Sequence, residues 1–323
     1  MPTPNFFIVG APRCATTFMY RYLRQHPQIF MPDLKEPYYL CSDLDSGTED
    51  DDKQFIRQRE TYLSLFDGAT QEPLIGEASP FTLYSREAPG HISELTPAPR
   101  LLVQVREPVE QMYSFHNVRA VTGYEDLPFA QALDAETDRR NGRRLPARAH
   151  MVPMYQYREV ARYSDPIQRY IDRFGRESVH IIVYEDLLKD APAVYRSVLS
   201  FLGADPSFRP DLRVVNMSVR PRNRLLFGLM FSPTARRGVK TLAPRRLHGA
   251  LRPAVGRINS LNRRPASRPS LDPRLRRALR DEFAGEVATL SALLGRDLAS
   301  LWYGSTGAIS AELPSGATAD AVR

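Results

Sequence analysis

The chain has 323 residues, of which 42% are hydrophobic and 25% charged, and it carries a formal net charge of +7. This composition supports one large or two small domains with a buried core. It offers no apolar run near the ~20 residues of a membrane-spanning helix, no secretory signal pattern, and too few cysteines for a disulfide framework. The sequence therefore predicts a cytoplasmic protein.

The positive charge is concentrated in one segment. Residues 212–271 contain fourteen of the 44 Lys and Arg residues and no Asp or Glu. The remainder holds 30 basic and 37 acidic residues, so the rest of the fold is net negative. The cationic character belongs to this segment and not to the whole molecule.

The chain opens with a pattern typical of an anion-binding loop. An apolar, β-prone run over Phe6–Val9 stops at Gly10, and a short loop with Arg13 and the hydroxyls of Thr16–Thr17 follows. Apolar residues then recur at helical spacing as far as Leu23. A strand, loop and helix in this order direct backbone N–H groups at a phosphate, whereas the alternative is a plain β-to-α turn.

This loop differs from a nucleotide-triphosphate loop. The Gly-Lys-Ser/Thr ending is replaced by Ala15–Thr17, and the cation has moved to Arg13. The apolar run Leu101–Val105 ends at Arg106, where a triphosphatase would carry a magnesium-binding Asp. Two separated cations indicate a metal-free site for a ligand with two phosphate-like groups.

Apolar runs and helical patterns alternate along the chain, which predicts an α/β fold with a mostly parallel central sheet flanked by helices in three layers. We expect residues 1–303 to form a single domain, with a helical basic segment over 212–271, and residues 304–323 to form a disordered tail. The predicted strands are Pro73–Pro80 (ending in a loop), Leu101–Val105 and Val179–Tyr184, and the predicted helices are Phe55–Phe66, Pro108–Arg119, Tyr157–Phe174, Ala193–Leu202 and Asp272–Leu294.

Five segments of the chain follow one another in a recognisable order. They are Ile8–Thr17, Lys35–Pro37, Gly76–Pro80, Val105–Pro108 with Ser114, and Ile182–Leu187. With these segments in this order, the sequence from about Asn5 to Trp302 resembles the sulfotransferases that use 3′-phosphoadenosine 5′-phosphosulfate (PAPS), and it is most similar to a bacterial branch related to the carbohydrate, heparan-type enzymes. The resemblance implies a P-loop-like fold.

The resemblance assigns the two predicted anion sites to PAPS, without a metal. Arg106 and Ser114 match the residues that bind the 3′-phosphate, and Arg13 matches the cation near the bridging oxygen. Ala15 departs from the glycine usual in the family, which puts the loop geometry in question because alanine lacks easy access to positive φ. The loop residues implied to hold the 5′-phosphosulfate are Ala11, Pro12, Arg13, Cys14, Ala15, Thr16 and Thr17.

Glu77 matches the catalytic base of the carbohydrate branch. An acceptor hydroxyl must lose a proton as it attacks sulfur, and a carboxylate with a raised pKa can accept it. The alternative is a Glu that caps or pairs at a strand end. Lys35 and His116 are weaker candidates for contact with the acceptor or the transferred group.

The basic segment has three interpretations. It forms a solvated or ion-paired cap, it closes over the cofactor phosphates through Arg220 and Arg222, or residues 220–264 contact an anionic membrane or acceptor. The second follows from the resemblance, because related enzymes carry a basic loop here.

Together these features predict a PAPS-dependent sulfotransferase that acts on a hydroxyl of a carbohydrate, glycolipid or glycosylated metabolite, in the cytoplasm or at the inner face of the membrane. One alternative is a P-loop kinase or other nucleotide-binding phosphotransferase. The other is a non-enzymatic polyanion-binding protein, although the basic segment lacks the interspersed aromatics of a nucleic-acid binder.

Overall fold

The computed structural model describes residues 2–47, 55–147, 149, 151–211, 219–221, 263–265 and 270–304. A five-stranded sheet lies at the centre, in the order β2-β3-β1-β4-β5, and every pairing is parallel. The predicted α/β class is thus confirmed. The strands are β1 (Phe6–Gly10), β2 (Ile29–Phe30), β3 (Leu74–Ala78), β4 (Arg100–Val105) and β5 (Val179–Val183).

Helices connect these strands and cover both faces of the sheet, as parallel crossovers require. Short 3₁₀ turns occur at Ser42–Leu44, Ser64–Phe66, Thr82–Tyr84, Val152–Tyr155 and Arg176–Ser178. The α-helices are α1 (Thr16–Leu23), α2 (Arg59–Leu63), α3 (Ala88–Leu95), α4 (Pro108–Thr122), α5 (Phe129–Asp134), α6 (Glu136–Arg140), α7 (Tyr157–Val160), α8 (Ser164–Phe174), α9 (Tyr184–Lys189), α10 (Ala191–Leu202), α11 (Pro273–Glu282), α12 (Ala284–Leu294) and α13 (Leu298–Tyr303).

The central strands are buried on both faces because their side chains alternate between two hydrophobic clusters. In β1, Phe7 and Val9 join one cluster, while Phe6 and Ile8 join the cluster on the opposite face. This explains why β1 and β4 read as continuous apolar runs.

Two predicted long helices are each divided in the structure. The predicted helix Tyr157–Phe174 is interrupted before α8, where Glu286 Oε1 accepts hydrogen bonds from the N–H groups of Tyr163 and Ser164 at 2.7 and 2.8 Å. The predicted helix Asp272–Leu294 divides at Phe283, between α11 and α12. A carboxylate from a distant helix supplies the first break, so local periodicity could not reveal it.

Little of the basic segment is described. Two short strands, β6 (Val219–Pro221) and β7 (Arg263–Pro265), pair antiparallel, with Arg220 opposite Arg264. These six residues form extended strands, whereas the sequence analysis predicts a helical segment. The remainder of 212–269, including Arg222, and the predicted tail from residue 305 onward lie outside the described residues.

The last helices pack into the central core. Val287, Leu290, Leu298 and Trp302 belong to the same hydrophobic cluster as β1 and β4. Trp302 Nε1 also donates a hydrogen bond to Glu185 Oε2 at 2.8 Å. These contacts tie the C-terminal helices to the chain segment that follows β5.

In the part of the chain that the structure describes, no helix combines the length and apolar character needed to cross a membrane.

Candidate active site

The loop after β1 has a left-handed backbone at two non-glycine positions. Arg13 has φ 66°, and Ala15, directly before α1, has φ 70°. This region costs an L-residue roughly 1–2 kcal/mol, most of which glycine avoids. The loop therefore adopts a conformation suited to glycine although Ala15 occupies the position. Gly10 is needed for packing, because a Cβ there would lie 2.6 Å from Leu83 Cβ.

Two buried amides hold the carbonyl groups of this loop. Gln104 Nε2, from β4, donates to the Cys14 carbonyl, and Gln111 Nε2, from α4, donates to the Pro12 carbonyl, both at 3.0 Å. These bonds fix the carbonyls toward the interior, while the start of α1 borders an open cleft. The sequence analysis missed both residues. Gln104 carried a usable signal, because it is the one polar side chain within the run Leu101–Val105.

The structure brings Arg13 together with Ser114. Arg13 Nε donates to Ser114 Oγ at 3.2 Å, and Ser114 is only 1% exposed. Arg106 lies elsewhere, with its guanidinium 4.4 Å from the centroid of the Tyr184 ring and 3.9 Å from a carboxylate oxygen of Glu110. No contact described for Arg106 reaches Ser114. The binding of one phosphate by both residues therefore stays a prediction.

Glu77 lies at the end of β3, beside the strand that leads into the loop. It is the register partner of Phe7 and is 1% exposed. Ser79 Oγ donates to its Oε1 at 2.5 Å, while its Oε2 is buried without a partner among the described residues. Burial raises the pKa of Glu77 to about 7, against the lowering effects of the Ser79 hydrogen bond and the Lys35 charge.

The segment from Lys35 to Tyr38 crosses the end of β3. The Glu36 N–H donates to the Ala78 carbonyl at 3.0 Å, and the Tyr38 N–H donates to Ser79 Oγ at 3.3 Å. Lys35 forms an ion pair with Glu36, and the Tyr38 hydroxyl donates to Glu36 Oε2 at 2.7 Å. This segment places the Lys35 ammonium where it influences Glu77.

A cleft of about 440 Å³ separates the loop from the second half of α4. One wall is polar and formed by Arg13, Thr16, Thr17, Lys35 and Glu36, whereas the other is largely apolar and formed by Phe81, Phe115, Val118, Tyr124 and Met154, with Arg119 among them. Glu77 lies behind the Lys35–Tyr38 segment and does not border this cleft. The arrangement can hold an anion at one wall and a partly apolar molecule at the other.

Two candidates lie away from the cleft. His116 is packed against Phe129 and Tyr157, its Nε2 lies 2.9 Å from the Leu127 carbonyl, and burial lowers its pKa. Cys14 is buried within the loop, and burial raises the pKa of its thiol to about 12, which keeps it protonated. Both environments are those of packing residues.

Of the charged side chains that line the cleft, Arg13, Lys35 and Arg119 are cationic and Glu36 is anionic. Within the described ranges, no group of three or more His, Cys, Asp or Glu side chains is placed to hold a metal ion.

The fold and the site together define a protein of the P-loop-like α/β class, with the loop after β1 lying beside the strand that carries a buried carboxyl group. The sequence profile of the Sulfotransferase family matches residues 4–208. The chain belongs to this family. The match ends before the C-terminal helices α11 to α13, which nevertheless share the core of the matched part.

Several known proteins are similar to this chain. The membrane-associated sulfotransferase kil1 of Dictyostelium discoideum is 34% identical over 111 residues, which are 34% of this chain and 22% of that protein. Carbohydrate sulfotransferase 15 of Homo sapiens is 30% identical over 149 residues, covering 34% of this chain and 26% of that protein. The matched part thus spans about a quarter of the length of these relatives.

A solved structure matches almost the whole chain. It is a sulfotransferase from Alicyclobacillus acidocaldarius, 28% identical in sequence, with a TM-score of 0.70. The superposition covers 93% of this chain and 99% of that one. The architecture described above is therefore shared with that sulfotransferase.

Proposed function

We propose that this protein transfers the sulfuryl group of PAPS to a hydroxyl group of a carbohydrate, glycolipid or glycosylated metabolite. The observation that carries the proposal is the position of Glu77, a buried carboxyl with a pKa of about 7, one strand away from the Arg13 loop in a chain of the sulfotransferase family. Such a carboxyl is half ionised near neutral pH and suits a general base.

In the proposed reaction, the acceptor oxygen forms a bond to sulfur as the bond between sulfur and the bridging oxygen of the phosphosulfate breaks. Glu77 takes the acceptor proton. Arg13, the hydroxyls of Thr16 and Thr17, and the N–H groups at the start of α1 stabilise the negative charge that grows on the departing phosphate. Catalysis is then mainly positioning and electrostatics.

The residues present suit the two anionic ends of PAPS. The inward-held loop carbonyls leave the start of α1 facing the cleft beside Arg13, which fits the 5′-phosphosulfate. Arg106 and Ser114 are proposed for the 3′-phosphate. The burial of Glu77 in the free protein is compatible with its proposed role, because general-base contacts often tighten only in the reacting complex.

The first experiment combines binding with transfer. We expect 3′-phosphoadenosine 5′-phosphate (PAP) to bind in the presence of EDTA, and labelled sulfate to pass from PAPS into a small molecule or glycan of a lysate from the source organism. Magnesium-dependent binding of ATP would instead favour the kinase. Binding of neither nucleotide would favour a polyanion-binding protein.

The basic segment is proposed to contact anions as well. In the backbone register of β6 and β7, Arg220 pairs with Arg264, in a segment that contains fourteen Lys or Arg residues and no Asp or Glu. We propose the cofactor phosphates, through Arg220 and Arg222, as one partner of the segment. An anionic membrane contacting residues 220–264 is the other, and a lack of flotation with anionic vesicles at low salt would exclude it.

A further inference from the structure

The α4 wall of the cleft carries an accessible apolar residue. Val118 lines this wall with 38% of its surface exposed, and the largely buried Phe115 and Met154 line the same wall. Among the large hydrophobic residues that the structure describes, only Val118 and Leu34 are exposed, and Leu34 directly precedes Lys35 of the opposite wall. Scattered exposed hydrophobic residues are ordinary, whereas two on the segments that border one cleft point to a ligand.

The polar groups on this wall are already engaged within the protein. Thr122, one helical turn after Val118, donates its hydroxyl proton to the carbonyl of Val118 at 2.8 Å or to that of Arg119 at 3.2 Å. The Arg119 guanidinium is buried 4.1 Å from the centroid of the Tyr155 ring, and its Nε and Nη2 are closed to solvent. Sugar hydroxyls placed against this wall would exchange water for few partners, which is unfavourable.

The opposite wall of the cleft has the reverse character. It presents the charged side chains of Arg13, Lys35 and Glu36 and the hydroxyls of Thr16 and Thr17. A ligand that fills this cleft of about 440 Å³ therefore needs a polar end and an apolar end.

We propose that the acceptor carries a hydrocarbon group beside the sugar or alcohol that receives the sulfuryl group, and that this group lies on the apolar wall at Val118. The inference rests on the proposed sulfotransferase function and narrows the acceptor to a glycolipid or a glycoside with an apolar aglycone. Val118 follows Ser114 by four residues on α4, or ~6 Å along the helix axis, and Ser114 binds Arg13. One small acceptor can thus reach both the Arg13 end and the apolar wall.

A matched pair of glucosides tests this assignment. n-Octyl β-D-glucoside and methyl β-D-glucoside share the sugar and differ only in the length of the hydrocarbon chain, and both are used as monomers. Binding of each to the protein saturated with PAP is measured by calorimetry, for the wild type, for Val118→Asn and for Ala130→Asn. Asparagine is uncharged and similar to valine in size, and Ala130 is an exposed residue of α5 that does not line the cleft.

We expect the wild type and Ala130→Asn to bind the octyl glucoside about tenfold or more tightly than the methyl glucoside, since each methylene that leaves water contributes roughly fourfold. Val118→Asn should reduce this ratio by about threefold or more and keep its affinity for PAP. Equal or absent binding of the two glucosides by the wild type, or an unchanged ratio in Val118→Asn, would overturn the inference.

Two other occupants of the apolar wall give distinct results. A fall in PAP affinity in Val118→Asn would assign Val118 to the cofactor. Self-association of the wild type that Val118→Asn removes, measured by sedimentation, would assign Val118 to an interface between two copies of the chain. Either result would overturn the inference. A failure of the proposed function appears earlier, as a lack of PAP binding by the wild-type protein before any glucoside is added.

Discussion

Burial gives Glu77 its chemical character. Desolvation raises the pKa of its carboxyl, while the Ser79 hydroxyl and the Lys35 ammonium favour the ionised form, and the result lies near 7. A carboxyl with an ordinary pKa would be a weak base toward a hydroxyl. A carboxyl buried without these two neighbours would stay protonated at neutral pH. A carboxyl with a pKa near 7 suits the role of general base that we propose for Glu77.

The first prediction concerns the pH dependence of transfer. Since Glu77 must be ionised to act as a base, kcat/KM should rise with pH through about 7 and then level. Glu77→Gln should lower kcat by ~10²–10⁴-fold and leave PAP affinity intact. Glu107 is the matched control, because burial also raises its pKa to about 7. Glu107→Gln should keep the rise of kcat/KM with pH. Loss of this rise in Glu107→Gln alone would assign the titrating group to Glu107 instead of Glu77.

The same carboxyl affects stability with a definite sign. The folded-state pKa is raised, so the folded protein holds the proton more tightly than the unfolded chain, and stability falls as the pH rises from 4.5 through about 7. Glu77→Gln should remove this pH-dependent loss of stability. Urea denaturation should show the variant gaining up to about 3 kcal/mol relative to the wild type between pH 4.5 and 8. A difference that is independent of pH would contradict the raised pKa.

The sequence motifs single out Arg13, Thr16, Thr17 and Lys35, which all border the cleft, and their roles in binding stay predictions. The sequence analysis missed Gln104 and Gln111, which hold the loop from behind, because their partners are backbone carbonyls about 90 to 100 positions away. Such contacts depend on the order of the strands in the sheet, and that order cannot be read from a single sequence.

At the scale of elements, β3 positions the Glu77 carboxyl through its close approach to β1. Gly76 precedes Glu77 and is the register partner of Phe6, whose ring fills the space above it. A Cβ at Gly76 would lie 2.1 Å from Phe6 Cζ. Phe6 is fully buried in the core, so its ring has little room to move. The packing of Phe6 against Gly76 therefore fixes how closely β3 approaches β1.

Gly76→Ala should accordingly affect both stability and transfer. Overpacking of this kind costs roughly 1–3 kcal/mol of unfolding free energy, and the displaced strand carries Glu77 with it, so kcat should fall more than KM changes. Gly90→Ala is the control, because Gly90 lies in α3 with nothing within 4 Å of the added Cβ. In an open helical position this change should be neutral or stabilising. Equal behaviour of the two variants in denaturation and kinetics would refute the packing argument.

Strands were easier to predict than helix ends. The runs at Leu101–Val105 and Val179–Tyr184 match β4 and β5 within one residue, since continuous apolar sequence of that length suits a strand buried on both faces. The helix predicted before β5 is instead divided into α7 and α8, because Glu286, over a hundred residues later, binds the N–H groups at the break. The local sequence indicates whether a segment forms a strand or a helix, whereas tertiary contacts determine where that element begins and ends.

For the whole molecule, the open question is whether the C-terminal helices fold together with the part matched by the family profile. The profile ends at residue 208, yet α12 and α13 contribute to the central core. Arg296 forms a bidentate pair with Asp186, and Trp302 bonds Glu185, the residue directly before Asp186. The second contact lies near Arg106, whose charge acts on Glu185. The proposed 3′-phosphate site and the C-terminal helices should therefore respond to each other.

The single tryptophan makes this testable. Trp302 is buried in the core, so its fluorescence reports the docking of α13, while far-UV circular dichroism reports the whole fold. If residues 1–303 form one cooperative domain, both signals should show the same urea midpoint. PAP at one hundred times its Kd should shift both together, by about 2.7 kcal/mol of unfolding free energy. Trp302→Phe, followed by dichroism alone, should lose roughly 1–3 kcal/mol and remain cooperative, because it removes one hydrogen bond and leaves a small cavity. A fluorescence transition that precedes the dichroism transition, or that ignores PAP, would instead make the C-terminal helices a separately folding unit.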